Sequence, residues 1–177
     1  NAILAALLAR EHTHKGQYCE VALFDCAVSM LAYAPMQVLF SGEEPVLISA
    51  FETKTDPKKF VDVDETMTWQ ATFPSGVIAN CSTSFNSSGM GRIRAHAQKG
   101  WFGLEPAFNY GGIKGTRSDG KPLEFPATDH FAVQMDDFAQ CILNKKPSKV
   151  SGEEGLRDVR LMMAIYESAR TGRPVKV

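Results

Sequence analysis

The sequence predicts an α+β domain, and three observations carry that reading. Helix-forming stretches lie at both ends, a period of two runs through the middle, and turns rich in Gly, Pro, Ser and Asn punctuate that middle. Helices bracketing consecutive strands with short turns imply an open, mainly antiparallel β-sheet with helices packed on one face. A helical N-terminal segment precedes the sheet. The 177 residues suit one compact unit, since domains commonly run about 100–200 residues. A net charge of −1 and 44% hydrophobic content are ordinary for a globular chain. They point away from nucleic acid and from a membrane surface, because no block of basic residues is available for either.

The elements follow in order. Residues 2–10, AILAALLAR, favour helix, and Gly16 after His14 and Lys15 suits its stop. Residues 17–23 read as extended. A helical pattern resumes from Asp25 to Phe40 and breaks at Pro35, which removes a hydrogen bond and clashes one turn back. After Ser41-Gly42 the period changes to two. Strands are expected over 46–55, 63–73, 77–85 and 92–98, with shorter ones at 101–104, 113–117 and 123–125. In the second strand Met67, Trp69, Ala71 and Phe73 share one face, and Thr66, Thr68, Gln70 and Thr72 the other. Asn80, Ser82, Arg92, Arg94 and His96 extend the polar face. Two helices close the chain. The first carries an apolar stripe of Phe131, Met135, Phe138 and Ile142. Ser151 and Glu154 form a capping box for the second, whose apolar positions include Leu156, Val159, Met163 and Tyr166. Gly172 and Pro174 end it.

Chemistry-bearing motifs are few. No G-x-G-x-x-G, P-loop, H-E-x-x-H or G-x-S-x-G occurs. Gly89, Gly91, Gly111, Gly112 and Gly115 fall between strands and open no helix that could cradle phosphate. Cys19, Cys26, Cys81 and Cys141 form no C-x-x-C pair, which suggests reduced thiols in a cytoplasmic protein. The apolar run 2–9 is too short to span a bilayer and lacks the flanks of a signal peptide. The chain opens on Asn1, so a trimmed start is expected. His12 and His14 flank Thr13 and read as a solvated pair. Asp62, Asp64 and Glu65 read as a solvated strand start, and Asp136 and Asp137 as exposed helix charge. No catalytic or metal-ligating set is expected. The candidate ligand or interface surface is Arg92, Arg94, His96, Tyr110 and His130. Its cations suit an anionic group, and His130 suits a helix cap or an acid–base role.

Longer stretches carry two resemblances. G-E-E-P at 42–45, D-E-T-M-T-W-Q-A-T-F-P-S-G at 64–76, D-H-F-A-V-Q-M-D-D-F-A at 129–139 and the run 151–175 resemble the C-terminal domain of the Gfo/Idh/MocA oxidoreductases. The likeness covers about 46–177 and is of the glucose–fructose oxidoreductase type. A-I-L-A-A-L-L-A-R-E at 2–11, G-Q-Y-C-E-V-A-L-F-D at 16–25 and A-V-S-M-L-A at 27–32 resemble a segment of the family III CoA-transferases. The two together imply a chimera of a helical segment, 1–45, and a sheet domain, 46–177, joined near 40–45 and folded as one unit.

The oxidoreductase resemblance implies a sheet that shapes a sugar-side pocket and mediates homo-oligomer contacts. The family uses NAD(P), and its catalytic Lys-Pro motif belongs to a nucleotide domain that this sequence does not resemble, so no cofactor is expected in this chain. Where the family places a His or Tyr four residues after an Asp, Asp25 is followed by Ser29. No catalytic role passes to Asp25 from the CoA-transferases either, since their catalytic aspartate lies outside this stretch. The first functional reading is therefore a truncated binding or assembly module with a sugar-like ligand, not catalytic alone. The alternatives are a fragment of an NAD(P)-dependent sugar or polyol oxidoreductase completed by another chain, and a CoA-transferase-related protein.

Overall fold

A computed structural model describes residues 43–88, 91–108, 112–126 and 128–177. The helices expected at 2–10 and 25–40 lie outside them. Among the described residues the order is β1 (Leu47–Thr53), β2 (Thr66–Thr72), β3 (Ile78–Ser84), β4 (Ile93–Ala97), β5 (Gly100–Leu104), β6 (Gly115–Arg117), β7 (Pro122–Leu123), α1 (His130–Leu143), α2 (Gly152–Thr171) and β8 (Val175–Lys176). The α+β class stands, and all strand pairs are antiparallel. The strands divide into two four-stranded sheets, β3-β2-β1-β8 and β4-β5-β6-β7, where the alternating pattern suggested one meander. Alternation says which side chains share a face, not which strand edges pair. The described residues form two compact units, one of 43–86 with 149–177 and the other within 87–148.

In the first unit, β1 and β2 pair along their full length, with Ile48 opposite Ala71 and Ala50 opposite Trp69. One face of the sheet is covered by α2, which packs on β1 and β8. The core is Ile48, Ala50, Met67, Ala71, Phe73, Ala164 and Ile165, flanked by Trp69, Ala79, Ala169 and Val175. Burying a side chain such as Ile48, Met67 or Phe73 contributes about 1.5–3 kcal/mol.

The inward face of α2 is not the expected one. Leu161, Ala164, Ile165 and Ser168 are buried, whereas Leu156, Val159, Met163 and Tyr166 are exposed. Apolar residues occupy two stripes of this helix, so periodicity alone does not choose between them. The small side chains of Ala164 and Ser168 allow close approach to the sheet, and Ser168 makes a polar bond there that no residue of the other stripe offers.

That bond concerns the edge of β1. β8 pairs with β1 only at Leu47–Lys176 and Ile48–Val175. Continuing the register would set Ala50 opposite Arg173, beyond the end of the strand. The Ser168 Oγ lies in that gap. It accepts the Ala50 N–H at 2.9 Å and donates to the Arg173 carbonyl at 2.8 Å. Ser168 is 1% exposed, so without the hydroxyl both backbone groups would lose their partner away from water. Gly172 makes the return possible. It ends α2 in the left-handed region at φ 65°, its N–H bonded to the Ser168 carbonyl. At the other end the Ser151 hydroxyl accepts the Glu154 N–H at 3.4 Å, the first half of the expected capping box, while the Glu154 carboxylate pairs with Arg157.

In the second unit β4, β5, β6 and β7 pair in sequence. The Asp129 carboxylate caps α1, accepting from the Phe131 and Ala132 N–H groups at 3.0 and 3.1 Å. The helix forms as its stripe predicts, but none of its residues is buried. Among the described residues no helix is long and apolar enough to cross a membrane.

Ser168→Ala strands the Ala50 N–H and the Arg173 carbonyl. It should lower stability by roughly 1–3 kcal/mol, the cost of leaving buried groups unpaired. Urea unfolding measures this, and an unchanged midpoint would refute the role given to the hydroxyl.

Candidate functional site

The residues chosen from sequence fall on different parts of the fold. Thr68, Gln70, Asn80 and Ser82 belong to the first sheet, on the face away from α2. Two of their bonds lie within the sheet. The Gln70 amide donates to Asn80 Oδ1 at 2.8 Å, and the Thr68 hydroxyl donates to the Cys81 carbonyl at 3.0 Å. Thr66 and Ser84 hydroxyls meet at 2.7 Å. Phe51 and Ile78 share this face by register and are 66% and 53% exposed. A face of partly paired polar side chains with large exposed apolar groups resembles the composition of an interface.

Arg94 and His96 lie on the second sheet instead, so the single polar face drawn from the sequence is divided between two sheets. Their cross-strand partners are Gly103 and Trp101. The Arg94 guanidinium stands over the Trp101 ring, 4.1 Å from its centroid, a cation–π contact. Gly103 keeps the space beside it clear, since a Cβ there would meet Arg94 Nε at 3.5 Å and the Ile93 carbonyl at 3.1 Å. Arg92 is exposed just before β4. His130 is exposed at the first position of α1, where Asp129 and not the histidine does the capping. No hydrogen bond or ion pair ties His130 to Arg94 or His96. Tyr110 lies outside the described residues.

The carboxylate that sequence reasoning misplaced is Glu65. It was grouped with Asp62 and Asp64 as a solvated strand start, yet it is 2% exposed. It accepts from the Thr55 hydroxyl at 2.5 Å, the Thr55 N–H at 2.6 Å, the Asp56 N–H at 2.9 Å and the Asn86 amide at 3.1 Å. These donors, the Thr55 hydroxyl foremost, hold its carboxyl down to about 2. The signal was available: position 65 is in phase with Met67, Trp69, Ala71 and Phe73, so an acid there belongs to the buried face and needs partners. Asp64, on the opposite phase, accepts from the Tyr166 hydroxyl at 2.7 Å. Partial burial, then that bond, pushes the phenol well above its usual range.

Two concavities open on the first unit. One of about 490 Å³ is lined by Glu167, Arg170, Thr171, Arg173, Pro174 and Val175. The other, of about 110 Å³, is lined by Glu44, Glu154, Arg157, Asp158, Arg160, Leu161 and Val177. In the second, Arg157 bridges Glu44 at 2.7 Å and also pairs with Glu154. Neither contains a residue selected from sequence. Among the described residues no three His, Cys, Asp or Glu side chains gather as a metal site.

The described helix ends do not suit a dinucleotide. A pyrophosphate needs free N–H groups at a helix start. At α1 the Asp129 carboxylate occupies those of Phe131 and Ala132. At α2 Glu153 and Glu154 fill the first turn, and the Ser151 hydroxyl holds the Glu153 carboxyl below its usual range. Negative charge at both ends repels a second anion.

The sequence matches the group described as "Oxidoreductase family, C-terminal alpha/beta domain", Gfo/Idh/MocA, over residues 19–177. The chain belongs to this family. It is 26% identical over 159 residues to a D-xylose 1-dehydrogenase [NADP(+)] of Haloarcula marismortui, covering 86% of this chain and 44% of that protein. A second D-xylose 1-dehydrogenase (NADP(+)), from Haloferax volcanii, is 28% identical over 72% of this chain and 41% of its own length. The chain thus spans less than half the length of these relatives. Among solved structures, the aldose-aldose oxidoreductase from Caulobacter crescentus complexed with glycerol superposes with a TM-score of 0.74 at 34% identity, over 85% of this chain and 45% of that one. UDP-N-acetylglucosamine 3-dehydrogenase from Acidithiobacillus ferrooxidans shares the fold, with a TM-score of 0.68 at 19% identity over 80% of this chain and 46% of that one. The family match begins at residue 19, well inside the stretch that resembles the CoA-transferases. The comparisons give that second resemblance no support.

Glu65 sets an acid limit. Its folded value of about 2 lies below its ordinary 4.5, so its contribution is full above pH 4.5 and is lost as pH falls from there toward 2. The stability difference between the native chain and Glu65→Gln should therefore shrink across that window. Thermal melts at stepped pH would show it, and a difference that stays constant would contradict the buried ionised carboxylate.

Proposed function

We propose that these residues form the substrate-side and assembly domain of an NAD(P)-dependent sugar oxidoreductase, and that nucleotide binding is the work of residues outside this sequence. The observation that carries this reading is the family match, which runs along most of the chain and is to the C-terminal domain. The names of the relatives, D-xylose dehydrogenases and an aldose-aldose oxidoreductase, favour a sugar as the substrate class. The acidic helix starts and the lack of a G-x-G-x-x-G fit a domain without hydride chemistry of its own.

The outer face of the first sheet supports the assembly role. α2 covers one side, and Phe51 and Ile78 stand exposed on the other among hydroxyl and amide side chains. A second copy of the chain meeting that face would bury both, and the Gln70–Asn80 and Thr66–Ser84 pairs already hold part of its polar groups within the sheet. The outward stripe of α2, Leu156, Val159 and Met163, leaves a further apolar surface for the nucleotide-binding part of the protein.

Light scattering at micromolar concentration should report a dimer or larger. Phe51→Glu, which places a charge on the outer face, should yield a folded monomer. Titration with NADPH should show binding only when a nucleotide-binding domain is supplied. A monomeric native chain would sink the assembly role, and NADPH binding by this chain alone would sink the division of labour.

A further inference from the structure

We propose that the Arg94–Trp101 face of the second sheet is a binding site for a small oxyanion, the carboxylate or phosphate group of a soluble ligand. This inference stands on the second sheet alone and does not depend on the assembly role.

The sequence of the sheet states the charge balance. The strand segments IRAHA, GWFGL, GTR and PL contain cations and no acid. Alternation then separates two faces. Ile93 and Ala95 on β4 pair with Leu104 and Phe102 on β5, whereas Arg94 and His96 pair with Gly103 and Trp101. One face is apolar, and the other carries a guanidinium, an imidazole and an indole, with Thr116 opposite Gly103 on β6.

The state of Arg94 is what turns a charged face into a site. On the same sheet Arg117 is engaged by Asp119 at 2.9 Å. Arg94 is exposed and has no carboxylate partner among the described residues. It is nevertheless held, because its guanidinium lies over the Trp101 ring at 4.1 Å. A stacked guanidinium keeps its in-plane donors and loses less side-chain entropy on binding than a free one. Its fork matches the two oxygens of a carboxylate or phosphate. Gly103 leaves Nε uncovered, as any side chain there would sit against it. His96, two residues along on the same face, offers a second donor, and Thr116 stands opposite Gly103 on β6. The arrangement is a preordered cation, an open notch and flanking donors, without the acid that would neutralise it.

The full chain is to be titrated calorimetrically with sodium gluconate and with inorganic phosphate, with glucose as the neutral control. The expected result is binding of one or both anions that added salt weakens, whereas any heat from glucose should be indifferent to salt and to the residue at position 94. Binding of both anions marks a site that reads charge. Gluconate alone marks one that reads a carboxylate bearing hydroxyls. Arg94→Gln should weaken binding about tenfold or more, and Arg94→Lys less, since the charge remains without the fork. His96→Ala, an exposed change that leaves the stack in place, should weaken it as well and guards against misfolding of the arginine variants. Failure of both anions to bind, or full affinity in Arg94→Gln, would overturn the site. Neither outcome bears on NADPH binding or oligomeric state, so the two readings fail separately.

Discussion

The Ser168 hydroxyl stands between the Ala50 N–H and the Arg173 carbonyl, with bonds of 2.9 and 2.8 Å, and the arrangement of the first unit follows from it. A strand of two residues cannot by itself complete the edge of a strand of seven. The hydroxyl continues the ladder where β8 stops. Because it belongs to α2, the same bonds fix the rotation of the helix and seat Ala164 and Ile165 on Ile48 and Ala50. The choice of face comes with a consequence. Leu156, Val159 and Met163 are turned outward, and one side of the sheet is covered while the other stays bare.

This explains why some of the fold was legible in the sequence and some was not. The seven longer-range strand assignments needed only alternation and turn residues, and Met67, Trp69, Ala71 and Phe73 against Thr66, Thr68, Gln70 and Thr72 is as clear a period of two as a short strand allows. β8 has no periodicity to read. The face of α2 was misread because Leu156, Val159, Met163 and Tyr166 form a stripe as regular as the buried one. The deciding contact is a polar bond to a strand 118 positions away. The pairing of strand edges was equally hidden, since nothing in the 86–91 turn says whether β4 will add to β3 or start a sheet of its own.

The candidate site shows the same division between local and distant causes. Arg94 and His96 share a face because they are two residues apart on a strand, which alternation predicts. That Trp101 lies under Arg94 depends on the register of the β4–β5 hairpin. Glu65 was concealed by its neighbours: two exposed-phase aspartates made an acidic run of what is a buried acceptor. Its donors come from Thr55 and Asn86, separated from it by 10 and 21 positions. The family match then joins these pieces. Its reach from residue 19 takes in the sheet, both helices and part of the stretch that resembles the CoA-transferases, a resemblance it does not support.

The central claim is that Ser168 completes the edge of β1, and the Ala50 amide reports on it directly. Native-state hydrogen exchange followed by NMR should find that amide exchanging only through unfolding of the unit, as slowly as the paired amide of Ile48, with its protection collapsing in Ser168→Ala while that of Ile48 persists. An Ala50 amide that exchanges rapidly in the native chain would contradict the account.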